Sequence, residues 1–238
     1  MSKVLVIPDI HLKPWIFDQA EEALINTDCE FAVFIGDLVD DWNCEKNTKL
    51  YEETIQRAID FVRKFPETVW CWGNHDLSYL WDQYDHPGYS LFAADMVVDM
   101  FEELSDSLGS PEQIGIIHRI DNTLFSHAGL SNEFVESGLS DMMDDIDCMI
   151  DIINGYGVEE LWEDNSPIWV RPQYGTLAKG MYDHGLFQVV GHTPVREVLL
   201  QGNVLTVDVF STASTGMKIG NEELVWVDTG TGDWGYTE

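Results

Sequence analysis

Short apolar runs that end abruptly in polar, ligand-type residues recur along this chain. Lys3 to Ile7 stops at Asp9-Ile10-His11, Phe31 to Ile35 at Gly36-Asp37, and Thr68 to Trp72 at Gly73-Asn74-His75-Asp76. The runs are continuous instead of alternating, which predicts strands covered on both faces. Between them, Trp15 to Ile25 and Tyr51 to Phe65 are read as helices; in the second, Ile55, Ala58, Ile59 and Val62 recur at i, i+3, i+4 and i+7. Strand, helix, strand, helix, strand predicts βαβ units with right-handed crossovers. Sheets of this kind place their sites at the carboxyl ends of the strands, where the polar clusters fall.

From 77 to 115 the pattern turns helical and acidic, with Phe92 to Leu108 as the helix, and reads as an insertion beside the sheet. Strands return at Ile116 to Ile120 and Thr123 to Ser126, joined by the two-residue turn Asp121-Asn122, and His127-Ala128-Gly129 follows. Residues 131 to 165 are helical again, within a second insertion reaching about 175. Their stripe of Met142, Met143, Ile146, Met149, Ile150 and Ile153 is read as core. Phe187 to Val190 ends in Gly191-His192-Thr193-Pro194, ahead of strands at Val204 to Val209 and Leu224 to Val227. No Ser/Gly linker, repeat or low-complexity tract interrupts the pattern, so residues 1–238 are expected to form one domain with helical insertions at about 77–115 and 131–175.

Composition narrows the class. With 238 residues, 45% of them hydrophobic and 12% aromatic, the chain can bury a sizeable core, which argues against disorder. Twelve Lys and Arg against 43 Asp and Glu give a formal charge of −31, so nucleic acid and anionic membranes are disfavoured partners. The four cysteines, at 29, 44, 71 and 148, show no CxxC spacing and read as reduced core thiols. Val4 to Ile7 is too short for a secretory signal, and no run approaches the length of a membrane span, so a cytoplasmic location is expected.

Singly, the polar clusters say little. A DxH tripeptide is ordinarily a polar turn, and a lone strand-end histidine is ordinarily capped or solvated. Together, two Asp, one Asn and three His at the ends of separate strands form a set of hard oxygens and imidazoles suited to Mn, Fe or Zn, with no thiolate demanding a softer metal. An aspartate can bridge two cations, and an Asn amide oxygen ligates without adding charge. Five such motifs suggest two metals.

The order Asp9-Ile10-His11, Gly36-Asp37-Leu38-Val39-Asp40, Gly73-Asn74-His75-Asp76, Ser126-His127-Ala128-Gly129 and Gly191-His192-Thr193-Pro194 resembles the calcineurin-like metallophosphoesterase superfamily, from position 9 to 194. Within it, Ser126 to Ser131, Gly191 to Pro194 and the Ile168-Trp169-Val170-Arg171-Pro172 segment resemble the Ser/Thr protein phosphatase branch, particularly its bacterial and phage-type members. The resemblance implies an α/β fold built as a two-sheet β-sandwich flanked by helices. It implies that Asp9, His11 and Asp37 hold one divalent ion and that Asp37, Asn74, His127 and His192 hold a second, Mn²⁺ being favoured over Fe or Zn. His75 corresponds to the histidine that protonates the leaving group, and Asp40 to the carboxylate that orients and charges it. Asp76 is read as structural.

The implied reaction is hydrolysis of a phosphate ester, with a phosphoprotein or small phosphate ester as substrate and a metal-bridging hydroxide attacking in line. One departure stands out: the phosphatase branch continues GDxVD with an arginine that clamps phosphate, whereas here Asp41-Trp42 follows. Loss of such a clamp costs about 1.5–3 kcal/mol of monoester affinity unless another cation replaces it. Asn74 and Arg171 are the remaining candidates to touch phosphate, with Arg196 in reserve. The expected function is a phosphomonoesterase of the Ser/Thr phosphatase type. Its alternatives are a phosphodiesterase or dinucleoside-polyphosphate hydrolase, and a non-catalytic metal-binding scaffold. Trp42 and Trp15 are candidate contacts to an aromatic ring of the substrate, Trp70 and Trp72 are read as core, and His86, His118 and His184 as structural.

Overall fold

In a computed structural model of the chain, which describes residues 2–142, 145–174 and 180–237, two mixed sheets are stacked and helices cover them. The first sheet runs β11 (Trp234–Tyr236), β10 (Val225–Asp228), β1 (Lys3–Ile7), β2 (Phe31–Phe34), β3 (Val69–Cys71) and β4 (Ile114–Gly115). β1 to β4 are parallel, and β10 and β11 add antiparallel pairs. The second sheet runs β5 (Ile117–Ile120), β6 (Thr123–Ser126), β7 (Phe187–Val190), β9 (Val204–Thr206) and β8 (Leu199–Gln201), with the central pairs β6·β7 and β7·β9 parallel.

Period-2 geometry explains why the strands read as continuous apolar runs. On β1, Val4 and Val6 face the second sheet, where they meet the cluster holding Phe125, Val189 and Leu205, while Leu5 and Ile7 face the helices. β2 and β3 alternate in the same way, Val33, Ile35 and Cys71 turning inward and Phe34 and Trp70 outward. The outward side is closed by α1 (Ile16–Asn26) and α2 (Thr48–Lys64), whose Phe17, Ala20, Tyr51, Ile55, Ala58 and Ile59 are fully buried. α4 (Ala94–Ser107) packs on α2 through Val97, Phe101 and Leu104.

The expected elements appear within a few residues of their sequence positions, and two differences have clear causes. The stretch 77–115 is not wholly beside the sheet: after α4 the chain returns to pair Ile114 and Gly115 in parallel with Trp70 and Cys71, extending the first sheet. Strand β9 ends at Thr206, three residues short of Val209, because the chain turns there to bring Asp208 inward. In the second insertion, α5 (Asn132–Gly138), α6 (Ile146–Asn154) and α7 (Val158–Leu161) bury Met149, Ile150 and Ile153 as the apolar stripe requires. Met143 of that stripe, and positions 144 and 175 of the insertion, lie outside the described residues. Trp70 and Trp72 are core residues. All four cysteines are free, but only Cys71 is fully buried, the other three being half-exposed. Among the described residues no helix is long and apolar enough to cross a membrane.

Candidate active site

The carboxyl ends of β1, β2, β3, β6 and β7 converge on one end of the sandwich, and the sharp turns that follow them aim the polar side chains. His11, Asp37, Asp40 and His192 all adopt left-handed backbone conformations, with φ of 44°, 57°, 63° and 63°. Each such non-glycine residue costs on the order of 1 kcal/mol or more, so surrounding contacts must hold it. Asp76, at the start of α3 (Asn74–Leu80), does this for Asp37: its carboxylate accepts from Asp37 N and Leu38 N at 2.8 Å each and from Gly73 N at 3.0 Å. Asp76 is thus a structural residue, fastening the β2 turn to the β3 turn.

Three histidines have their tautomers set by backbone carbonyls. His11 Nδ1 donates to Asp40 O at 2.9 Å, His127 Nδ1 to Ile35 O at 3.0 Å, and His192 Nε2 to Trp169 O at 3.1 Å. The opposite nitrogens therefore present lone pairs to the interior. His127 Nε2 lies 2.9 Å from Asn74 Oδ1, 3.1 Å from His192 Nδ1 and 3.2 Å from Asp37 Oδ2. His11 Nε2 lies 3.6 Å from the same Asp37 Oδ2. Acceptors crowded on acceptors without a donor between them repel unless a cation lies among them.

Asp9 supports the same reading from the other side. It is fully buried, its Oδ2 accepts from His192 N at 2.9 Å, and its Oδ1 has no hydrogen-bond partner. Burial and the neighbouring carboxylates Asp208 and Asp37 push its pKa well up, a cost that a cation at Oδ1 would reverse. Two close approaches admit only glycine: a Cβ on Gly191 would stand 2.0 Å from Asp9 Oδ1, and one on Gly73 2.1 Å from Asp37 Oδ1. The donors present thus fit divalent ions. Two groups share Asp37, one with His11 and His75 and the other with His127 and His192. Asp37 Oδ1 accepts from His75 N at 3.0 Å, so the atom facing both groups is Oδ2 alone.

Beside this cluster, His75 Nδ1 meets Asp40 Oδ2 at 2.9 Å, leaving Nε2 as the nitrogen available to the cleft. Asp40 Oδ1 in turn accepts from Tyr51 Oη at 2.7 Å and Tyr79 Oη at 2.6 Å. Burial pushes the His75 pKa down, but Asp37 and Asp40 outweigh it and raise the value to about 9. Pairing a half-buried imidazole with a buried carboxylate favours its protonated form, the form that can give up a proton.

The cluster opens into a cleft of about 580 Å³ lined by His11, Asp37, Asp40, Asn74, His75 and His192 from the motifs. Arg171 is the one Arg or Lys among the described lining residues. Its Nη1 donates to His192 O and Thr193 Oγ1, both at 3.0 Å, anchoring it beside the histidine. Arg196, the reserve candidate, is exposed and does not line the cleft. Trp42 lines it with 57% of its surface open, Nε1 donating to Thr212 O at 2.9 Å, whereas Trp15 packs on Phe210 outside the lining. Asp41, at the position of the missing arginine, binds Lys13 Nζ at 3.0 Å and Thr212 Oγ1 at 2.9 Å. Lys13 Nζ, which also donates to His11 O at 3.1 Å, is thereby paired with Asp41 and is not among the residues lining the cleft.

Two residues here were not expected from sequence. Asp208, a buried residue lining the cleft and close enough to Asp9 to raise its pKa, has its carboxylate held by Ser211 Oγ at 3.0 Å. Burial raises its pKa to about 6. It follows the β9 strand, so the same strand-end rule could have found it. His86 was read as structural, yet it lines the cleft against His75 and Asn74. No motif surrounds it. His118, bonded to Trp70 O at 3.0 Å, and the exposed His184 stay clear of the site, as expected.

A two-layer sandwich gathering carboxylates, an amide and imidazoles around a buried, donor-poor centre, with a charged acid alongside, defines a metal-dependent hydrolase. The chain belongs to the calcineurin-like phosphoesterase family, whose model matches residues 2–208. It is therefore an enzyme, a metal-dependent phosphoesterase. Among solved structures it is similar to one described as "a putative diadenosine tetraphosphatase", with TM-score 0.53 and 16% identity over 99% of this chain and 92% of that one. It is also similar to a hypothetical protein from Pyrococcus horikoshii OT3, with TM-score 0.53 and 13% identity over 100% and 88% of the two chains. At these identities the likeness is one of fold. No curated protein matches the sequence.

Proposed function

We propose that the protein hydrolyses phosphomonoesters by direct attack, as the Ser/Thr protein phosphatase branch does. The observation that carries this reading is the His75–Asp40 pair, held by two buried tyrosine hydroxyls and facing the same cleft as the crowded lone pairs. A pure metal-binding scaffold has no use for a half-buried histidine that is not itself a ligand but is held on a buried carboxylate.

Asp9, His11 and Asp37 would hold one divalent ion, and Asp37, Asn74, His127 and His192 the other. Mn²⁺ suits this mixture of carboxylate, amide and imidazole, with Fe and Zn as competitors. When bound, the two ions supply Lewis acidity toward the phosphoryl oxygens and lower the pKa of a water for in-line attack. His75 donates the Nε2 proton to the departing ester oxygen, and Asp40 keeps the ring oriented and charged until it does. Arg171, fixed to the His192 backbone, offers its remaining N–H groups to a phosphoryl oxygen.

The charge of the cleft favours one phosphate over several. Asp41, Glu45 and Asp208 line it and Arg171 is the one Arg or Lys among the described lining residues, so phosphates extending beyond the metal positions, His75 and Arg171 would meet carboxylates. The test compares p-nitrophenyl phosphate, bis(p-nitrophenyl) phosphate and diadenosine tetraphosphate under saturating Mn²⁺. The proposal expects kcat/KM at least tenfold higher for the monoester. A second reading, dinucleoside-polyphosphate hydrolysis, is favoured by the exposed face of Trp42 at the cleft, which could stack a nucleobase. Preference for diadenosine tetraphosphate would establish it in place of the first.

A further inference from the structure

We infer that His86 is a positioning residue that sets the orientation of the Asn74 amide, turning the Asn74 oxygen toward the metal position; this rests on the reading of Asn74 as a ligand. An asparagine can ligate through Oδ1 only if its NH₂ group points elsewhere, and the two ends of an amide are nearly identical in shape. Something must break that symmetry. On one side, Asn74 Oδ1 lies 2.9 Å from His127 Nε2, within the crowded lone pairs. On the other, Asn74 Nδ2 lies 2.7 Å from His86 Nε2. With Nδ2 as the donor, His86 Nε2 must be the acceptor, so the ring's proton is on Nδ1.

That tautomer leaves Nδ1–H buried without a hydrogen-bond partner, so the contact with Asn74 is what sets the ring's polarity. The ring is 7% exposed and clasped by His75 at 4.2 Å, Trp169 at 5.5 Å and Trp162 at 5.7 Å between centroids. A ring so enclosed is preorganised to present one nitrogen in one direction.

Another geometric role can be set aside. His86, His75 and Asp40 also approach one another closely enough to suggest a third cation. Asp40 is already filled, its Oδ1 taken by Tyr51 and Tyr79 and its Oδ2 by His75 Nδ1. A cation there would have to displace those donors. A further consequence is that one of the two Asn74 amide hydrogens is spent on His86, so Asn74 can offer substrate only the other.

The test begins with the chelator-treated full chain and Mn²⁺ alone, titrated by calorimetry with bound manganese counted by elemental analysis. His86→Phe fills the aromatic clasp but accepts no hydrogen bond, and one of the two Mn²⁺ sites, the one assigned to Asn74, should lose about 10- to 100-fold in affinity, as outer-sphere partners of metal ligands do. His86→Gln, whose Oε1 can accept from Asn74, should return to within about threefold of wild type. The thermal midpoint of the metal-free variants should stay near that of wild type. Unchanged Mn²⁺ affinity in His86→Phe, or equal loss in His86→Gln, would overturn the proposal. If His86→Phe does not fold, nitrogen-15 NMR of the histidine rings in the metal-free wild type decides: the proposal requires the proton on Nδ1 and fails if it is on Nε2. Asn74→Ala is the separate control, because two intact Mn²⁺ sites in that variant would remove Asn74 as a ligand whatever His86 does.

Discussion

Replacing Asp76 by alanine tests whether the site turns are fastened together as described. The carboxylate is fully buried and accepts from the backbone N–H groups of Asp37, Leu38 and Gly73. Truncation strands three donors, each worth about 1–3 kcal/mol when left unpaired. Water entering the vacated space will satisfy part of the demand, so the low end applies and the sum is about 3–5 kcal/mol. For a chain of this size 1 kcal/mol moves the midpoint by about 2–4 °C, giving an expected drop of about 6–20 °C. Calorimetry and urea unfolding in the presence of chelator measure this without contribution from metal. Asp76→Asn, which keeps one acceptor oxygen but turns amide hydrogens onto backbone donors, should fall between the two. Mn²⁺ affinity should weaken alongside, because Asp37 loses the contact that holds its left-handed turn. An Asp76→Ala protein within 1 kcal/mol of wild type would refute the argument.

Three further outcomes are expected. His75→Asn should lower kcat by about 10²–10⁴ with both metals retained, and the loss should be greater for alkyl phosphates than for p-nitrophenyl phosphate, whose leaving group needs little protonation; equal losses would argue against proton donation. Gly191→Ala, which drives a Cβ onto Asp9 Oδ1, should remove the ion assigned to Asp9 and His11 while the fold persists, as counted by elemental analysis with circular dichroism as the control. In the metal-free protein the folded His75 pKa of about 9 exceeds the unfolded value near 6.5, so its contribution, up to about 2–3 kcal/mol, is complete below pH 6.5 and lost as pH rises through 9. The stability gap between wild type and His75→Asn should therefore narrow from pH 6 to pH 9 in urea titrations, and a constant gap would contradict the ion pair.

The parts of the fold and site that could be read from sequence share one physical origin. A strand buried on both faces must be apolar until it ends, so Asp9, Asp37, Asn74, His127 and His192 are marked by the contrast with what precedes them. Two edge strands lack that contrast: β8 is Leu199–Gln201 with two exposed residues, and β11 is Trp234–Tyr236 with none buried, so neither stands out from a loop. β4 was hidden because two residues, Ile114 and Gly115, carry no period at all. His86 was missed for a different reason. It arrives in the cleft from a connecting stretch after α3, and its role lies in the direction of a hydrogen bond to Asn74, which spacing along the chain does not encode. Asp41 was legible as a departure but not as a replacement, since its hold on Lys13 and Thr212 exists only in three dimensions.

The left-handed backbone at His11, Asp37, Asp40 and His192 sets the folding interest of the molecule against its catalytic one. Glycine would relieve every one of those four positions and would erase a ligand or the acid's partner each time. A descendant released from selection for turnover would be expected to drift to glycine, asparagine or a shortened loop at these places first. Sequence variation at four strand-end positions would then separate working copies of this fold from retired ones before any assay is run.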